Sequence, residues 1–300
     1  MMHYPDENGI CSFCHERVGM NYIICPVRNN LELTKKAIRT FREQDIGDVE
    51  VVIIDNASSD GTTQWLDSQD DLLVIHFNPP MGVAFSWNRA LEFVFKEGAK
   101  YALVVNNDVE LRPDTYRLLV EDGGEFVTAV GVRDRKKIEP IRDRAKAAQI
   151  AYDAALIKGG DKLNAHDFMY SQPNRDGKRP HPDFSCFLIR KSLYEKVGPF
   201  DENFKIAFCE DGDYDLRMYA AGVRAYCIDL PYLHHGSMTV KNAQVDEVRK
   251  IQAQAEKNRE YFYKKHGVHM GSEEYYKRLD KSDPEPLQYK PSILGGGSGL

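Results

Sequence analysis

NYIICPVRNNLELTKKAIRTF, residues 21–41, carries the repeating unit of the fold. NYIICP (21–26) is an apolar run of strand length, and LTKKAIRTF (33–41) spaces its apolar residues as a helix does. Asn29 and Glu32 lie between them at the spacing of a capping box. The same alternation continues outward. VEVVII (49–54), LLVIHF (72–77), YALVV (101–105) and EFVTAVGV (125–132) read as strands. TTQWLDS (62–68), AFSWNRALEFVFKEG (84–98) and PDTYRLLVED (113–122) read as helices, the second with Trp87, Leu91 and Val94 on one face, the third with Pro113 in its first turn. Strands alternating with helices imply a parallel sheet covered on both faces. The expected fold class is α/β, a mostly parallel central sheet flanked by helices.

After residue 132 the pattern weakens. The segment 133–182 predicts one helix over 142–157 and a Pro/Gly/Asn-rich loop over 172–182. FSCFLIR (184–190) and VRAYCI (223–228) read as strands, KSLYEKVG (191–198) as a helix, and 242–266 as a long polar helix. Residues 1–20 form a Cys/His-containing extension, and 268–300 a tail ending in the linker-like GGGSGL. The expected division is a first half (21–132), a second half (133–240) and a C-terminal helix (241–267).

Composition narrows the function. With 42% hydrophobic residues the chain can bury a sizeable core. Forty basic against 46 acidic residues give a net charge of −6, which argues against a nucleic-acid partner. The basic stretch 133–146 is interleaved with acidic residues and reads as a solvated face. No apolar run approaches the roughly 18 residues of a membrane span, and no signal peptide is visible, so a cytoplasmic location is expected. Six cysteines, most of them alone in apolar runs, suit reduced thiols. Cys11-Ser12-Phe13-Cys14-His15 has the C-x-x-C-H form of haem attachment and half the ligands of a zinc site; without a second C-x-x-C, ordinary thiols are the expectation.

Each early strand ends in polar residues: Arg28 and Asn29, then Asp55 and Asn56, then Asn78, then Asn106, Asn107 and Asp108. Ligands of open α/β sheets bind at the carboxyl ends of strands, so these clusters are expected to share one rim. Asp55 opens DNASSDGT, where a carboxylate suits a base N–H or a ribose hydroxyl and the other residues suit a turn. Asp108 offers the hard oxygen that Mg²⁺ or Mn²⁺ takes beside a diphosphate, although Asn-Asn-Asp is also an ordinary turn. The densest acidic run is Glu210-Asp211-Gly212-Asp213-Tyr214-Asp215. An EF-hand would need Gly and Glu where Leu216 and Gly222 stand, so the run is either a solvated loop or a carboxylate base with its supports. His234 and His235 are either surface residues or ligands to a cation or phosphate. CPVRNNLE, after the first strand, lacks the glycines that a nucleotidyltransferase or a dinucleotide-dependent dehydrogenase would use there.

IICPVRNN, VVIIDNASSDGT, NPPMGVAFSWNRAL, LVVNNDVEL, FSCFLIRKSLYEKVGPFDENF, FCEDGDYDLRMYAAG, LHHGSMT and NREYFYKKHG occur in that order. This series resembles glycosyltransferase family 2, inverting enzymes of the GT-A fold, especially its rhamnosyltransferase-like members. The resemblance spans residues 21–267. It implies a Rossmann-like nucleotide-binding half joined to an acceptor side. It also implies a UDP-, dTDP- or GDP-sugar donor, a Mn²⁺ or Mg²⁺ cofactor, and a glycan, lipid-linked or other hydroxyl acceptor. Residue by residue it implies a nucleoside pocket at Asp55 and Asn56 with Pro26, Arg28 and Asn29, and donor contacts at Asn78, Gly82 and Asn88. Asn106 and Asn107 match the D-x-D region, with Asp108 as its metal-side carboxylate and Asn106 in place of the first Asp. Asp211 matches the catalytic base, flanked by Glu210 and Arg217, and His234 or His235 matches the histidine near the metal. A non-catalytic nucleotide-sugar-binding module and a sugar-phosphate nucleotidyltransferase are the alternative readings.

Overall fold

The first βα unit forms as its pattern predicts, with β1 (Asn21–Val27) leading into α1 (Leu31–Arg42). The computed structural model describes residues 20–132, 178–179, 182, 184–236 and 245–281. Strands β2 (Val49–Asn56), β3 (Leu72–Phe77) and β4 (Tyr101–Val105) extend β1 in parallel, connected through α2 (Thr62–Asp67) and α3 (Val83–Lys96). Then follow β5 (Val109–Glu110), α4 (Thr115–Asp122), β6 (Phe126–Val132), β7 (Lys178–Arg179), β8 (Cys186–Arg190) and α5 (Lys191–Val197). Helix α6 (Glu210–Ala220), strand β9 (Tyr226–His234) and helices α7 (Val245–His266) and α8 (Glu273–Lys281) complete the described chain. The sheet order is β3-β2-β1-β4-β8-β6-β9-β5, with β7 on β9.

Alternation along β1 shows why both faces must be covered. Tyr22 and Ile24 pack with Trp87, Leu91 and Val94 of α3, whereas Ile23, Cys25 and Val27 pack with Ile38 and Phe41 of α1 and Tyr116 of α4. The Tyr116 hydroxyl accepts from the Tyr22 N–H at 3.1 Å and donates to the Tyr22 carbonyl at 3.0 Å, which seats α4 at the start of β1.

The sheet is parallel from β3 to β4 and mixed beyond. Strand β8 enters from the rim side, with Cys186 opposite Val105, and so runs antiparallel to β4 and to β6. Strand β9 is parallel to β6 and antiparallel to β5. Local departures from expectation have local causes. No capping box forms: Asn30, left-handed and without a side-chain cap, precedes α1, and Asp60 Oδ2 accepts the Leu31 N–H at 3.2 Å. Pro113 lies outside α4, where its carbonyl accepts the Asp45 N–H at 2.8 Å. Within 268–300, read as a tail, α8 is helical and buries Tyr275 and Leu279 against Phe262. An apolar pair four residues apart in so short a polar stretch is a weak signal. Cys25, Cys186, Cys209 and Cys227 are buried thiols. The C-x-x-C-H segment, the helix expected over 142–157 and the GGGSGL end lie outside the described residues. Among the described residues no helix is long and apolar enough to cross a membrane.

Candidate active site

At the carboxyl ends of β1, β2 and β4 lies a cavity of about 300 Å³, at the small end of the range for ligand sites. One wall is built from strand ends: Pro26 and Val27 at the end of β1 and Arg28 after it, Asn56 at the end of β2, and Asn106, Asn107 and Asp108 after β4. Side-chain amides tie these ends together. Asn107 Nδ2 donates to the Asn29 carbonyl at 3.1 Å and to Thr34 Oγ1 at 3.0 Å. Asn29 donates its N–H to Ser58 Oγ at 2.8 Å and accepts the Ser59 N–H on its side-chain oxygen at 2.7 Å. Asn56 grips Met81 at the lip by a reciprocal pair, Nδ2 donating to the Met81 carbonyl and Oδ1 accepting the Met81 N–H, both at 2.6 Å. Loop backbone that cannot join the sheet thus finds its partners in asparagine side chains.

The β5–β9 pairing sets Val109 opposite His234, and the His235 N–H donates to the Asp108 carbonyl at 2.9 Å. Side chains alternate across a strand. His234 therefore points into the cavity, its Nε2 3.5 Å from Asp108 Oδ1, while His235 points away to the buried Glu110, 2.9 Å distant. Strand parity distinguishes two histidines that adjacency in the sequence could not.

The second wall is helix α6 and the loop before it. Glu210 and Asp211 open the helix, both buried and both lining the cavity. Burial first, and then the charge of Asp211, push the Glu210 pKa up to about 8, and its Oε2 has no hydrogen-bond partner. Glu210 is therefore protonated at neutral pH. Ile206, Phe208 and Cys209 in the preceding loop have φ of 62°, 82° and 75°. For L residues each such conformation costs roughly 1–2 kcal/mol, so the surroundings must hold them there. Asp213, one turn into α6, is fully buried between Lys265 Nζ (2.6 Å), His266 Nε2 (2.7 Å) and Arg217 Nε (3.0 Å). Burial alone would raise its pKa, but these partners hold it below the ordinary carboxylate value. Across the mouth, Arg28 Nη2 donates to Glu247 Oε1 of α7 at 2.6 Å and joins the two walls.

Of the residues expected in the site, Pro26, Arg28, Asn56, Asn106, Asn107, Asp108, Glu210, Asp211 and His234 line this cavity. The others stand behind or beside it. Asp55 lies under the rim, accepting from the Ser58 N–H (3.1 Å), Thr63 Oγ1 (2.6 Å) and His76 Nδ1 (3.1 Å). Burial alone would raise its pKa, but these bonds prevail and hold it low. Asn29 braces the rim as described, and Asn78 is exposed outside the cavity. Asn88, buried, donates to the Phe200 carbonyl (2.9 Å) and to Glu202 (2.8 Å) and accepts the Phe200 N–H (2.8 Å). Gly82 is needed for close approach, since a Cβ there would lie 3.1 Å from the Ile206 nitrogen. Arg217 is bound to Asp213, to the Val197 carbonyl (3.1 Å) and to the Pro199 carbonyl (2.7 Å), bracing α6 from outside the cavity.

The family model described as Glycosyl transferase family 2 matches residues 22–198, more than half of the chain. The chain belongs to glycosyl transferase family 2. Comparison with curated proteins gives no match. Among solved structures this chain is similar to S. aureus TarS at 16% identity and TM-score 0.50, covering 89% of this chain and 49% of that one. It is also similar to the mannosyltransferase PcManGT from Pyrobaculum calidifontis, solved in complex with GDP-Man and Mn²⁺, at 19% identity and TM-score 0.49, covering 72% and 56%. The chain thus spans about half the length of these two proteins. At such identities the likeness is one of fold, GT-A, with a mixed sheet and flanking helices.

The chain has no cluster of three His, Cys, Asp or Glu side chains fit to cage a metal among its described residues. Two ligands of an octahedral cation, each about 2.1 Å from it, stand about 3 Å apart. The 3.5 Å between Asp108 Oδ1 and His234 Nε2 suits a pair of protein ligands whose cation completes its shell with phosphate and water. Sequence reading missed the apolar side of the cavity, to which Val83, Trp87, Phe184, Phe208 and Ile251 contribute. Val83, Trp87, Phe184 and Phe208 sit in core-like apolar runs and Ile251 on a polar helix, so nothing in their spacing set them apart. Glu247 gave no signal either, being one of many charges on a polar helix.

Proposed function

We propose that this glycosyltransferase moves a hexosyl or deoxyhexosyl group from a nucleoside-diphosphate sugar to an acceptor hydroxyl, with a divalent cation and with inversion at the anomeric carbon. The observation that carries the proposal is convergence: Asp108, Glu210, Asp211 and His234, from widely separated parts of the chain, line one cavity. Pro26, Arg28 and Asn56 form the nucleoside and phosphate side, and Asp55 shapes it from below. Asp108 and His234 would hold the cation, which when bound neutralises charge on the diphosphate leaving group. Asp211 takes the proton from the acceptor hydroxyl. The acceptor oxygen bonds to the anomeric carbon as that carbon's bond to the diphosphate oxygen breaks on the opposite face. Glu210, whose neutral form burial favours, can donate a hydrogen bond to a substrate oxygen. The acceptor is a glycan, a lipid-linked sugar or another hydroxyl compound.

A thermal-shift panel of UDP, dTDP and GDP, each with Mn²⁺ and with EDTA, tests this reading, since a ligand specific to the native state raises Tm by mass action. At least one nucleotide should stabilise the protein, more strongly with Mn²⁺, and Asp108→Ala should abolish the difference between Mn²⁺ and EDTA. No shift with any of the three, or a cation effect untouched by Asp108→Ala, would contradict it.

A further inference from the structure

Three left-handed residues in a four-residue stretch need something to hold them, and the loop that carries Glu210 and Asp211 has one conspicuous holder on another element. Asn258 of α7 is 1% exposed. Its Nδ2 donates to the carbonyls of Lys205 (2.9 Å), Ala207 (2.9 Å) and Phe208 (3.1 Å). Its Oδ1 accepts from the Lys205 N–H at 3.3 Å and from Gln254 Nε2 at 2.9 Å, so the amide is anchored to its own helix. The opposite side of the loop is docked on α3, where the Val83 N–H donates to the Ile206 carbonyl at 2.8 Å and Gly82 leaves room for the approach. The loop runs directly into α6, whose first turn closes with the Asp213 N–H donating to the Cys209 carbonyl at 3.0 Å.

We propose that Asn258 is a positioning residue for the reaction: through the Lys205, Ala207 and Phe208 carbonyls it holds the left-handed loop in the one path that presents Glu210 and Asp211 to the cavity. The inference rests on the functional reading of that cavity, but its structural part stands on the loop alone. The chemistry requires a carboxamide. Three carbonyls converging on one point need a donor; aspartate would meet them with acceptors, and alanine would leave them buried and unpaired. Without the donor the backbone can leave the left-handed region, where only glycine is at ease, and the first turn of α6 moves with it. A displacement of about 1 Å at a reacting group can lower turnover about a hundredfold.

Hydrogen exchange of the backbone amides of 204–213, read in parent, Asn258→Ala and Asn258→Ser proteins, tests the structural part without a substrate. Turnover of UDP-N-acetylglucosamine and GDP-mannose, with water or sugar acceptors, tests the rest. Asn258→Ala should raise exchange in 204–213 while the strands β1, β2 and β4 keep the parent's protection. It should lower kcat about tenfold to a hundredfold and leave KM for the nucleotide sugar within about threefold. Asn258→Ser, which keeps one donor, should fall between. Ile206→Gly added to Asn258→Ala should recover part of kcat, because glycine holds the left-handed conformation without help; a residue serving only global stability would show no such rescue. Parent-like exchange in 204–213, a rise spread evenly over all elements, or absence of rescue overturns the proposal. Should Asn258→Ala not fold, the same readouts on Asn258→Ser decide. Unchanged turnover in Asp211→Asn would instead sink the reading of the cavity, leaving the exchange result to stand by itself.

Discussion

The two walls of the cavity both carry left-handed backbone, at Asn29, Asn30 and Ala57 on one and at Ile206, Phe208 and Cys209 on the other, but they differ in how their polar groups are met. The strand-end wall, from Pro26 to Asp108, is a frame in which amide side chains satisfy the loops between parallel strands. The wall formed by the loop 204–209 and α6 contains a buried carboxyl with an unpartnered oxygen and three residues in disfavoured backbone. Its shape comes from elements far along the chain: α3 through Val83, and α7 through Asn258, Lys265 and His266. The contrast suggests a division of labour. On the proposed reading, a braced frame receives the nucleotide, and the reacting carboxyls stand in a wall where burial shifts the proton affinity of Glu210.

The largest test of that contrast is Asp211→Asn. It should lower kcat for transfer about 10²–10⁴-fold, as loss of a positioned base does, while nucleotide affinity, a property of the other wall, changes little; steady-state kinetics with parallel calorimetric titration of the nucleotide would show both. Parallel loss of affinity would mean that the walls do not divide the work. A smaller effect concerns stability. Glu210 keeps its proton to about pH 8 in the fold, against 4.5 for an unperturbed carboxyl. The native state therefore binds more protons across that window, and stability falls as pH rises through it. Glu210→Gln should match the parent in Tm near pH 4.5 and exceed it by a few degrees at pH 8. A pH-independent difference would mean that Glu210 ionises normally.

The same contrast explains what was legible in the sequence. The strand-end wall follows from local rules: a buried strand, its polar end, then a helix, repeated until Asp108. Those rules placed β1 to β4 and the polar strand ends, of which Arg28, Asn56, Asn106, Asn107 and Asp108 line the cavity. They could not reveal that β8 returns antiparallel, because strand direction depends on where a chain re-enters the sheet. Nor could they assign Asn88, Gly82 and Arg217, whose positions near motifs suggested ligand contact but whose partners are Phe200, Ile206 and the Val197 and Pro199 carbonyls. The choice between His234 and His235 needed the β5–β9 register. Asn258 looked like any polar residue on a polar helix; its meaning comes from a loop some fifty residues away.

The central claim is that the two walls enclose one site. Hydrogen exchange of the whole protein with and without a saturating nucleoside diphosphate and Mn²⁺ tests it most directly. The account predicts added protection both in 26–29 and 106–108 and in 205–213. Protection confined to the strand ends, with 205–213 exchanging as in the free protein, would contradict it.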